Sequence, residues 1–181
     1  MEKTGLSIKI LGDPVLRKKS RQVRRVSDEH RRTLSTMSRF MHDSNGIGLA
    51  APQIGLNDAM IVVDIGTGLY KLINPRIVER EGEQVLEEGC LSVPGVYIKI
   101  KRSRRVVLEA LDEEAKPLRI EAQDLLACVF QHEIDHLNGK LIFDYASVIK
   151  KLQIKRKMRA LAKKKASDEG LPEPKRERRE L

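Results

Sequence analysis

The chain has 181 residues, of which 40% are hydrophobic and 34% charged, and its net charge is +9. This length is enough for one domain with its own core, and no apolar run approaches the roughly 20 residues that span a membrane. The two cysteines, Cys90 and Cys128, exclude a disulfide framework and indicate a reducing cytoplasm. The N-terminus lacks a basic region followed by an apolar core, so we expect no signal peptide.

The positive charge is concentrated near the C-terminus. Residues 147–181 carry 13 of the Lys and Arg residues and 5 of the Asp and Glu residues, a net charge of +8, which leaves +1 for residues 1–146. Such a segment indicates an anionic partner such as nucleic acid. A solvated helix followed by a disordered end is the simpler alternative.

The predicted elements show no internal repeat. In chain order they are a strand at 6–11, a helix from Ser27 to about 43, strands at 59–65 and 69–73, a break at Asn74-Pro75, strands to about 80 and at 84–87, 96–101, 104–111 and 117–122, a helix at 123–137, a strand at 140–145 and a basic helix at 147–166. This order predicts an α+β fold with mainly antiparallel sheets around a central buried helix, plus a C-terminal helix. We expect residues 1–166 to form a single domain that includes the basic helix, and 167–181 to be a disordered polar tail.

A run of small residues, 46–55, follows the first helix. Gly46-x-Gly48-x-x-Ala51 matches the loose dinucleotide-binding fingerprint, which requires a preceding strand and a following helix. Here a helix precedes the run and Pro52 follows at once, so we reject that interpretation. The run lets the backbone approach another group closely, and Gln53 is its one polar side chain. A plain loop packed on the core is the alternative.

The predicted helix at 123–137 contains the motif H-E-x-x-H. His132 and His136 lie one turn apart on the same face, with Glu133 beside them. The helix is apolar on most sides, which is typical of a buried helix, and unpaired polar groups are costly there. One metal ion would satisfy both imidazoles, whereas two core histidines bonded to backbone are the alternative.

A catalytic metal site usually has three protein ligands and one open position. The longer zinc-peptidase pattern fails here because Ile142 stands where its third histidine belongs. Cys128 lies about 12 Å along the helix from His136, too far for one ion to reach three neighbouring turns. The best candidate for the third ligand is Cys90, in a Gly-rich turn. His42 and His30, which lie on or beside the first helix, are weaker candidates. A Cys-His-His set accepts zinc, ferrous iron, nickel or cobalt.

Three motifs together resemble those of the peptide deformylase family, metal hydrolases that remove the formyl group from the N-terminal methionine of new chains. They are Gly46-Ile-Gly-Leu-Ala-Ala-Pro-Gln53, Glu88-Gly-Cys-Leu-Ser92 and Gln131-His-Glu-Ile-Asp-His136, with Gly12-Asp-Pro-Val-Leu-Arg17 as a further typical fragment. The resemblance covers roughly residues 6–165. Three motifs in the family's order are highly specific, whereas H-E-x-x-H alone is not.

The resemblance implies a role for each motif. The implied metal ligands are Cys90, His132 and His136. Glu133 would act as acid and base, and the Gln53 side chain and the Leu91 N–H would bind the oxyanion. The implied substrate-binding residues are Ile47, Gly48 and Gly89 along the peptide backbone, and Leu125, Cys128 and Val129 around the methionine side chain.

The resemblance also implies cofactor and partners. The cofactor would be one divalent metal ion, Fe2+ in the cell, with Zn2+, Ni2+ or Co2+ able to substitute. The substrate would be the nascent formyl-methionyl polypeptide in the cytoplasm, with no membrane partner. The basic helix resembles the form of the family whose C-terminal helix docks on the ribosome, and ribosomal RNA is anionic.

Three alternatives stay open at this point. A zinc endopeptidase could use the same helix, although it gives no role to Gln53 or Cys90. A non-catalytic ribosome- or RNA-binding metalloprotein would normally have a closed site of four protein ligands, and only three convincing ones are found. A deformylase-like paralogue without activity is the third, and no departure at a motif position supports it.

Overall fold

The structure, a computed structural model, describes residues 6–168 of the chain, with side chains up to residue 163. Its helices are α1 (Asp28–Asp43), α2 (Asp124–Leu137) and α3 (Val148–Asp168). Its strands are β1 (Gly48–Ala50), β2 (Met60–Val63), β3 (Tyr70–Glu81), β4 (Gln84–Gly89), β5 (Tyr97–Arg102), β6 (Arg105–Leu111) and β7 (Pro117–Gln123). Short 3-10 helices occupy Pro14–Arg17, Ala51–Ile54 and Ile142–Tyr145.

Two antiparallel sheets form the framework. Five strands pair in the order β1-β2-β3-β6-β7, and β4 pairs with β5 as a separate hairpin. Every paired strand is antiparallel to its neighbour. Together with the helices, this arrangement confirms the predicted α+β fold.

The five-stranded sheet has a helix on each face. All four residues of β2 are buried, because successive side chains of a strand point to opposite faces. Ile61 and Val63 pack in the cluster that contains Phe130 of α2, whereas Met60 and Val62 pack with Leu34 and other residues of α1. The central helix is therefore buried against the sheet, as predicted.

Two predicted strands are wrong. Residues 6–10 form no strand: the amides of Lys9 and Leu11 donate to the carbonyl oxygens of Gln53 and Ser92, at 2.8 Å each. The segment therefore joins two loops rather than a sheet. The predicted strand at 140–145 is a 3-10 helix instead, because the Asp144 carboxylate accepts the Leu141 amide at 2.8 Å.

The predicted break at Asn74-Pro75 is also wrong. Strand β3 continues through both residues, and its pairing with β6 shifts in register between Ile73 and Arg76. Asn74 has a positive φ of 54°, and its side chain pairs with the backbone of Val23 at 2.9 and 2.8 Å. Asn74-Pro75 therefore forms a β-bulge within β3, and the strand does not end there.

The chain divides into two compact units between Tyr145 and Ala146. The first holds both sheets, α1 and α2, and the second contains α3. The predicted polar tail from residue 167 onward lies, beyond Asp168, outside the described residues. None of the helices in the described range is long and apolar enough to cross a membrane.

A buried ion-pair network ties the β4-β5 hairpin to α2. The Arg102 guanidinium of β5 holds Glu88 of β4 through two hydrogen bonds of 2.7 and 2.9 Å, and it reaches Asp135 of α2 at 2.5 Å. Tyr145 donates a further bond of 2.6 Å to Asp135. The side chains of Arg102 and Glu88 are each only 5% exposed, so the network fixes the hairpin against the helix.

Replacing Arg102 with alanine should lower the free energy of unfolding by about 3–5 kcal/mol, because Glu88 and Asp135 would lose their compensating charge inside the protein. The matched control is Arg104→Ala. Arg104 pairs with Asp124 at 2.9 Å, but their side chains are 67% and 62% exposed, so we expect a loss below about 1 kcal/mol. Urea denaturation at fixed metal content measures both losses, and similar losses would contradict the network's importance.

Candidate metal centre and active site

The H-E-x-x-H residues lie on the buried side of α2. Gln123 is the N-cap and the helix ends at Leu137, within a residue of the predicted bounds. Glu133 and His136 are 3% and 1% exposed. The centroids of the two imidazole rings lie 5.0 Å apart, so both rings are close enough to contact one bound ion.

Cys90 comes to these histidines from the turn that follows β4. Its Sγ lies 3.3 Å from Nε2 of His136, and one donor atom from each of Cys90, His132 and His136 falls within 4.8 Å of the others. Cys90 and His136 are 46 residues apart in the chain. They come into contact because the hairpin network holds β4 against α2. The structure thus brings the three predicted ligands together.

The chemistry of these donors fits a divalent metal ion. Nδ1 of His132 is 2.8 Å from the Glu88 carboxylate, which leaves Nε2 of His132 for a ligand and fixes its direction. Burial lowers the pKa of His136 well below its ordinary value, so this imidazole is neutral, as a ligand must be. Nδ1 of His136 is buried and has no hydrogen-bond partner among the described residues.

The carboxylates near the site differ in their ionisation. Burial opposes ionisation of Glu88, but hydrogen bonds from Arg102 and His132 outweigh it and lower the pKa of Glu88 to about 2. Burial raises the pKa of Glu133 to about 7, against the attraction of His132 and with added repulsion from Glu88. Glu88 is therefore a fixed anion, whereas Glu133 can gain or lose a proton near neutral pH.

The pKa of His132 moves in the opposite direction from that of His136. Burial alone would lower it, but hydrogen bonds with Cys90 and Glu88 raise it well above the ordinary value. A metal ion would require Nε2 of His132 to carry no proton, because an imidazole ligand is neutral.

Gln53 lies beside Cys90, in the 3-10 helix Ala51–Ile54. Its side chain is 1% exposed, and its Oε1 accepts the amide of Ala50 at 2.7 Å. This bond directs Nε2 toward Cys90 Sγ at 3.7 Å and Ser92 Oγ at 3.4 Å. The amide N–H groups of Gln53 therefore point into the site, where they can donate to an oxygen atom.

Gly48 approaches the site more closely than any residue with a side chain could. A Cβ atom built on Gly48 would lie 2.3 Å from Oε1 of Glu133 and 2.9 Å from Cγ1 of Val129. The absence of a side chain at this position of β1 therefore leaves room for the Glu133 carboxylate. This confirms the expected close backbone approach in the small-residue run.

A cavity of about 570 Å³ opens onto these groups. Of the twelve residues predicted for the site, all but His136 line it: Ile47, Gly48, Gln53, Gly89, Cys90, Leu91, Leu125, Cys128, Val129, His132 and Glu133. Leu125 is 47% exposed and Ile47 is 46% exposed, so both lie at the mouth. The structure thus gathers the predicted residues in one place.

The weaker ligand candidates have other partners. His42 Nε2 lies 3.1 Å from the Asp64 carboxylate, and His30 contacts Ser27 at the start of α1. Cys128 Sγ donates to Glu88 at 3.2 Å, and burial, with Glu88 nearby, raises the pKa of its thiol to about 12. Cys128 therefore stays a neutral thiol, which is a poor metal ligand.

Three residues of the site have no role in the sequence-based prediction: Glu88, Arg102 and Tyr97. Arg102 was assigned no role, although it orients Glu88 and through it His132. Tyr97, which is 62% exposed, lines the cavity and covers Gly89, where a Cβ atom would lie 2.9 Å from its ring. The signal for Tyr97 is the strand register, which pairs Gly89 with Tyr97 and which the sequence pattern does not show.

Comparison with known proteins agrees with this geometry. The family model described as Polypeptide deformylase matches residues 6–152. A peptide deformylase of Acetivibrio thermocellus is 49% identical over 133 residues, covering 74% of this chain and 78% of its own length, and one of Alkalilimnicola ehrlichii is 43% identical over 162 residues, covering 87% and 91%. A crystal structure of a peptide deformylase from Legionella pneumophila superimposes with a TM-score of 0.84 at 40% identity, covering 89% of this chain and 97% of that one.

The fold, the clustered motif residues and these relatives lead to the same result. The zinc-endopeptidase and non-catalytic alternatives gain no support from any of them. The chain therefore belongs to the peptide deformylase family, the metal-dependent enzymes that remove the N-terminal formyl group from nascent polypeptides.

Proposed function

We propose that Cys90, His132 and His136 hold one divalent metal ion, and that Glu133 moves the protons during removal of the formyl group. The observation that carries this proposal is the convergence of three donor atoms within 4.8 Å, beside a cavity that Glu133 also lines. When bound, the ion supplies Lewis-acid chemistry, since it polarises the formyl carbonyl and makes water nucleophilic near neutral pH.

The protein's own groups carry out the remaining steps. A carboxylate oxygen of Glu133 accepts a proton from the attacking water, and the new C–O bond forms at the formyl carbon. Gln53 Nε2 and the Leu91 N–H donate to the carbonyl oxygen as it gains negative charge. The C–N bond then breaks, Glu133 returns its proton to the methionine nitrogen, and the products are formate and a free amine.

The two sheets offer a place for the substrate backbone. Within residues 6–168, strand β1 pairs only with β2, and β4 pairs only with β5, so each strand has one edge without a neighbouring strand from that part of the chain. Gly48 of β1 and Gly89 of β4 both line the cavity. We infer that the substrate extends along Ile47, Gly48 and Gly89 as an added strand.

The apolar part of the cavity suits the methionine side chain. Leu125, Cys128 and Val129 line it from the first half of α2, next to His132 and Glu133. We infer that they contact the methionine side chain and so place the formyl group beside the metal ligands. A neutral Cys128 thiol behaves there as a small hydrophobic group.

The identity of the ion and the location of the enzyme are further parts of the proposal. We infer that Fe2+ is the ion in the cell and that Zn2+, Ni2+ or Co2+ can replace it, since one thiolate and two imidazoles accept all four. We infer a cytoplasmic location, because a free cysteine such as Cys90 persists where thiols remain reduced. We also infer that residues 1–166 act as one catalytic domain, since the family match continues past residue 145 to residue 152.

We propose that α3 contacts ribosomal RNA. Residues 148–168 carry nine Lys and Arg residues and one acidic residue, Asp168. Six of its cations are exposed among the described side chains: Lys150, Lys155, Arg156, Lys157, Arg159 and Lys163. Cations neutralise RNA phosphates and release counterions, which gives affinity without sequence specificity.

Replacing Glu133 with glutamine should reduce formate release from formyl-Met-Ala-Ser by about 10²–10⁴-fold, the usual contribution of a positioned acid or base. The amide keeps the shape of the carboxylate, so we expect the metal content to stay unchanged. Glu114→Gln, in an exposed turn, should retain full turnover. A Glu133→Gln enzyme that works at the wild-type rate would refute the assignment.

The two cysteines provide a test of the ligand set. Loss of a residue that hydrogen-bonds to a metal ligand typically weakens metal binding by roughly 10–100-fold. Cys90→Ala should weaken metal binding by more than this, because it removes a ligand itself. Cys128→Ala should weaken it by less than about tenfold, because Cys128 only donates to Glu88. Metal titration followed by a chelator competition measures both. Equal effects in the two variants would show that Cys90 is not a ligand.

Neutralising α3 in the full-length protein tests the ribosomal contact. The triple variant Lys150→Gln, Arg156→Gln, Arg159→Gln should bind purified ribosomes more weakly and with a shallower salt dependence, by up to about 0.9 in slope for each lost phosphate contact. Turnover of free formyl-Met-Ala-Ser should not change. Unaltered ribosome binding would rule out α3 as the contact.

A further inference from the structure

A second basic surface lies on the first unit, far along the chain from α3. Between Pro14 and Ser27 the sequence contains six cationic residues and no acidic residue. We call residues 14–27 the basic segment. Its six cations are Arg17, Lys18, Lys19, Arg21, Arg24 and Arg25. All six are exposed.

Most of this charge is not compensated by ion pairs within the part of the chain whose side chains the structure describes. Arg17 pairs with Asp144 at 2.6 Å, and Arg21 pairs with Asp58 at 3.2 Å. The other four form no ion pair with any residue between 6 and 163; they are Lys18, Lys19, Arg24 and Arg25. Four cations within eight residues of the chain, without ion-pair partners among the described side chains, repel one another, and this repulsion is relieved when an anionic partner binds.

The backbone that carries these cations is fixed in place. The amides of Ser20 and Arg21 donate to the carbonyl oxygens of Leu137 and Asn57, at 2.7 Å each. Val23 bonds to the Asn74 side chain through both its N–H and its carbonyl group. The basic segment is therefore a preorganised surface, which costs less conformational entropy on binding than a flexible tail does.

The composition of the segment favours a nucleic-acid phosphate backbone over a lipid surface. A segment that lies on a membrane needs exposed apolar side chains, but Leu16 and Val23 are 0% and 7% exposed. Four of the six cations are arginines, whose planar guanidinium group suits phosphate oxygens. Because the substrate is a polypeptide emerging from the ribosome, the nearest extended phosphate surface is ribosomal RNA.

The position of the segment is compatible with simultaneous catalysis. It meets the C-terminal end of α2 at Leu137, whereas Leu125 marks the cavity mouth, about 18 Å away along the helix axis. No residue of the basic segment lines the cavity. A partner bound at the segment would leave the mouth open to a peptide.

We propose that the basic segment binds the phosphate backbone of ribosomal RNA, as a contact separate from α3. The inference rests on the proposed ribosomal contact of the enzyme and adds a second surface to it. Two separate contacts would restrict how the first unit is oriented on the ribosome, and each would raise the effective concentration of the other.

The test uses the full-length, metal-loaded protein with four substitutions in the segment: Lys18→Gln, Lys19→Gln, Arg24→Gln and Arg25→Gln. The matched control also replaces two lysines and two arginines at separate exposed sites: Arg32→Gln, Arg39→Gln, Lys99→Gln and Lys116→Gln. Binding to purified large ribosomal subunits, to a short RNA duplex and to vesicles of phosphatidylglycerol is measured between about 50 and 200 mM salt.

Loss of four phosphate contacts should reduce the slope of log affinity against log salt by about 3, and the affinity itself by at least about tenfold at the lower salt. The control should change affinity by less than about twofold. Both variants should release formate from formyl-Met-Ala-Ser at the wild-type rate, which verifies that they fold. The double variant Lys18→Gln, Lys19→Gln should show about half of the change in slope.

Two outcomes would overturn the proposal. One is that the segment variant and the control lose affinity equally, or that neither does. The other is that the segment variant loses binding only to vesicles of phosphatidylglycerol and keeps its affinity for RNA. The α3 variant described above is measured in parallel, so that failure of the α3 contact and failure of this one give different patterns.

Discussion

One buried guanidinium group determines the geometry of this active site. Arg102 holds Glu88 with two hydrogen bonds and Asp135 with a third, and so connects the β4-β5 hairpin to α2. Glu88 in turn orients His132, and two residues after it the chain places Cys90 beside His136. The network offsets the desolvation of its charges only while all the partners are present, so site and fold depend on the same contacts.

This arrangement explains why the H-E-x-x-H helix is only half of the site. The helix provides two imidazoles and Glu133, whereas the hairpin turn provides the thiol and Leu91. The 3-10 helix with Gln53 completes the third side, and hydrogen bonds from the segment around Lys9 and Leu11 hold Gln53 and Ser92 in place. Three segments distant in sequence thus converge on one cavity, which a peptidase built on the same helix would not require.

The sequence predicted α2 because its signals are local, whereas the gathered residues were expected from the resemblance of three short motifs to a known family. Helical periodicity, the Asn138-Gly139 stop and the motif spacing are all contained in short windows. The predictions are wrong where contacts between residues distant in sequence determine the backbone conformation. Residues 6–11 are irregular because they pair with loops, and β3 passes Asn74 because Val23 bonds to its side chain. The role of Arg102 could not be predicted, since it depends on how the hairpin packs on α2.

We propose that one hairpin thiol and two helix imidazoles bind a single metal ion. X-ray absorption spectroscopy of the zinc-loaded protein tests it most directly, because sulfur and nitrogen ligands give distances of about 2.3 Å and 2.0–2.1 Å. We expect one sulfur atom and two imidazole nitrogens as protein ligands of the ion. A spectrum without sulfur, or with two sulfur ligands from Cys90 and Cys128, would contradict it.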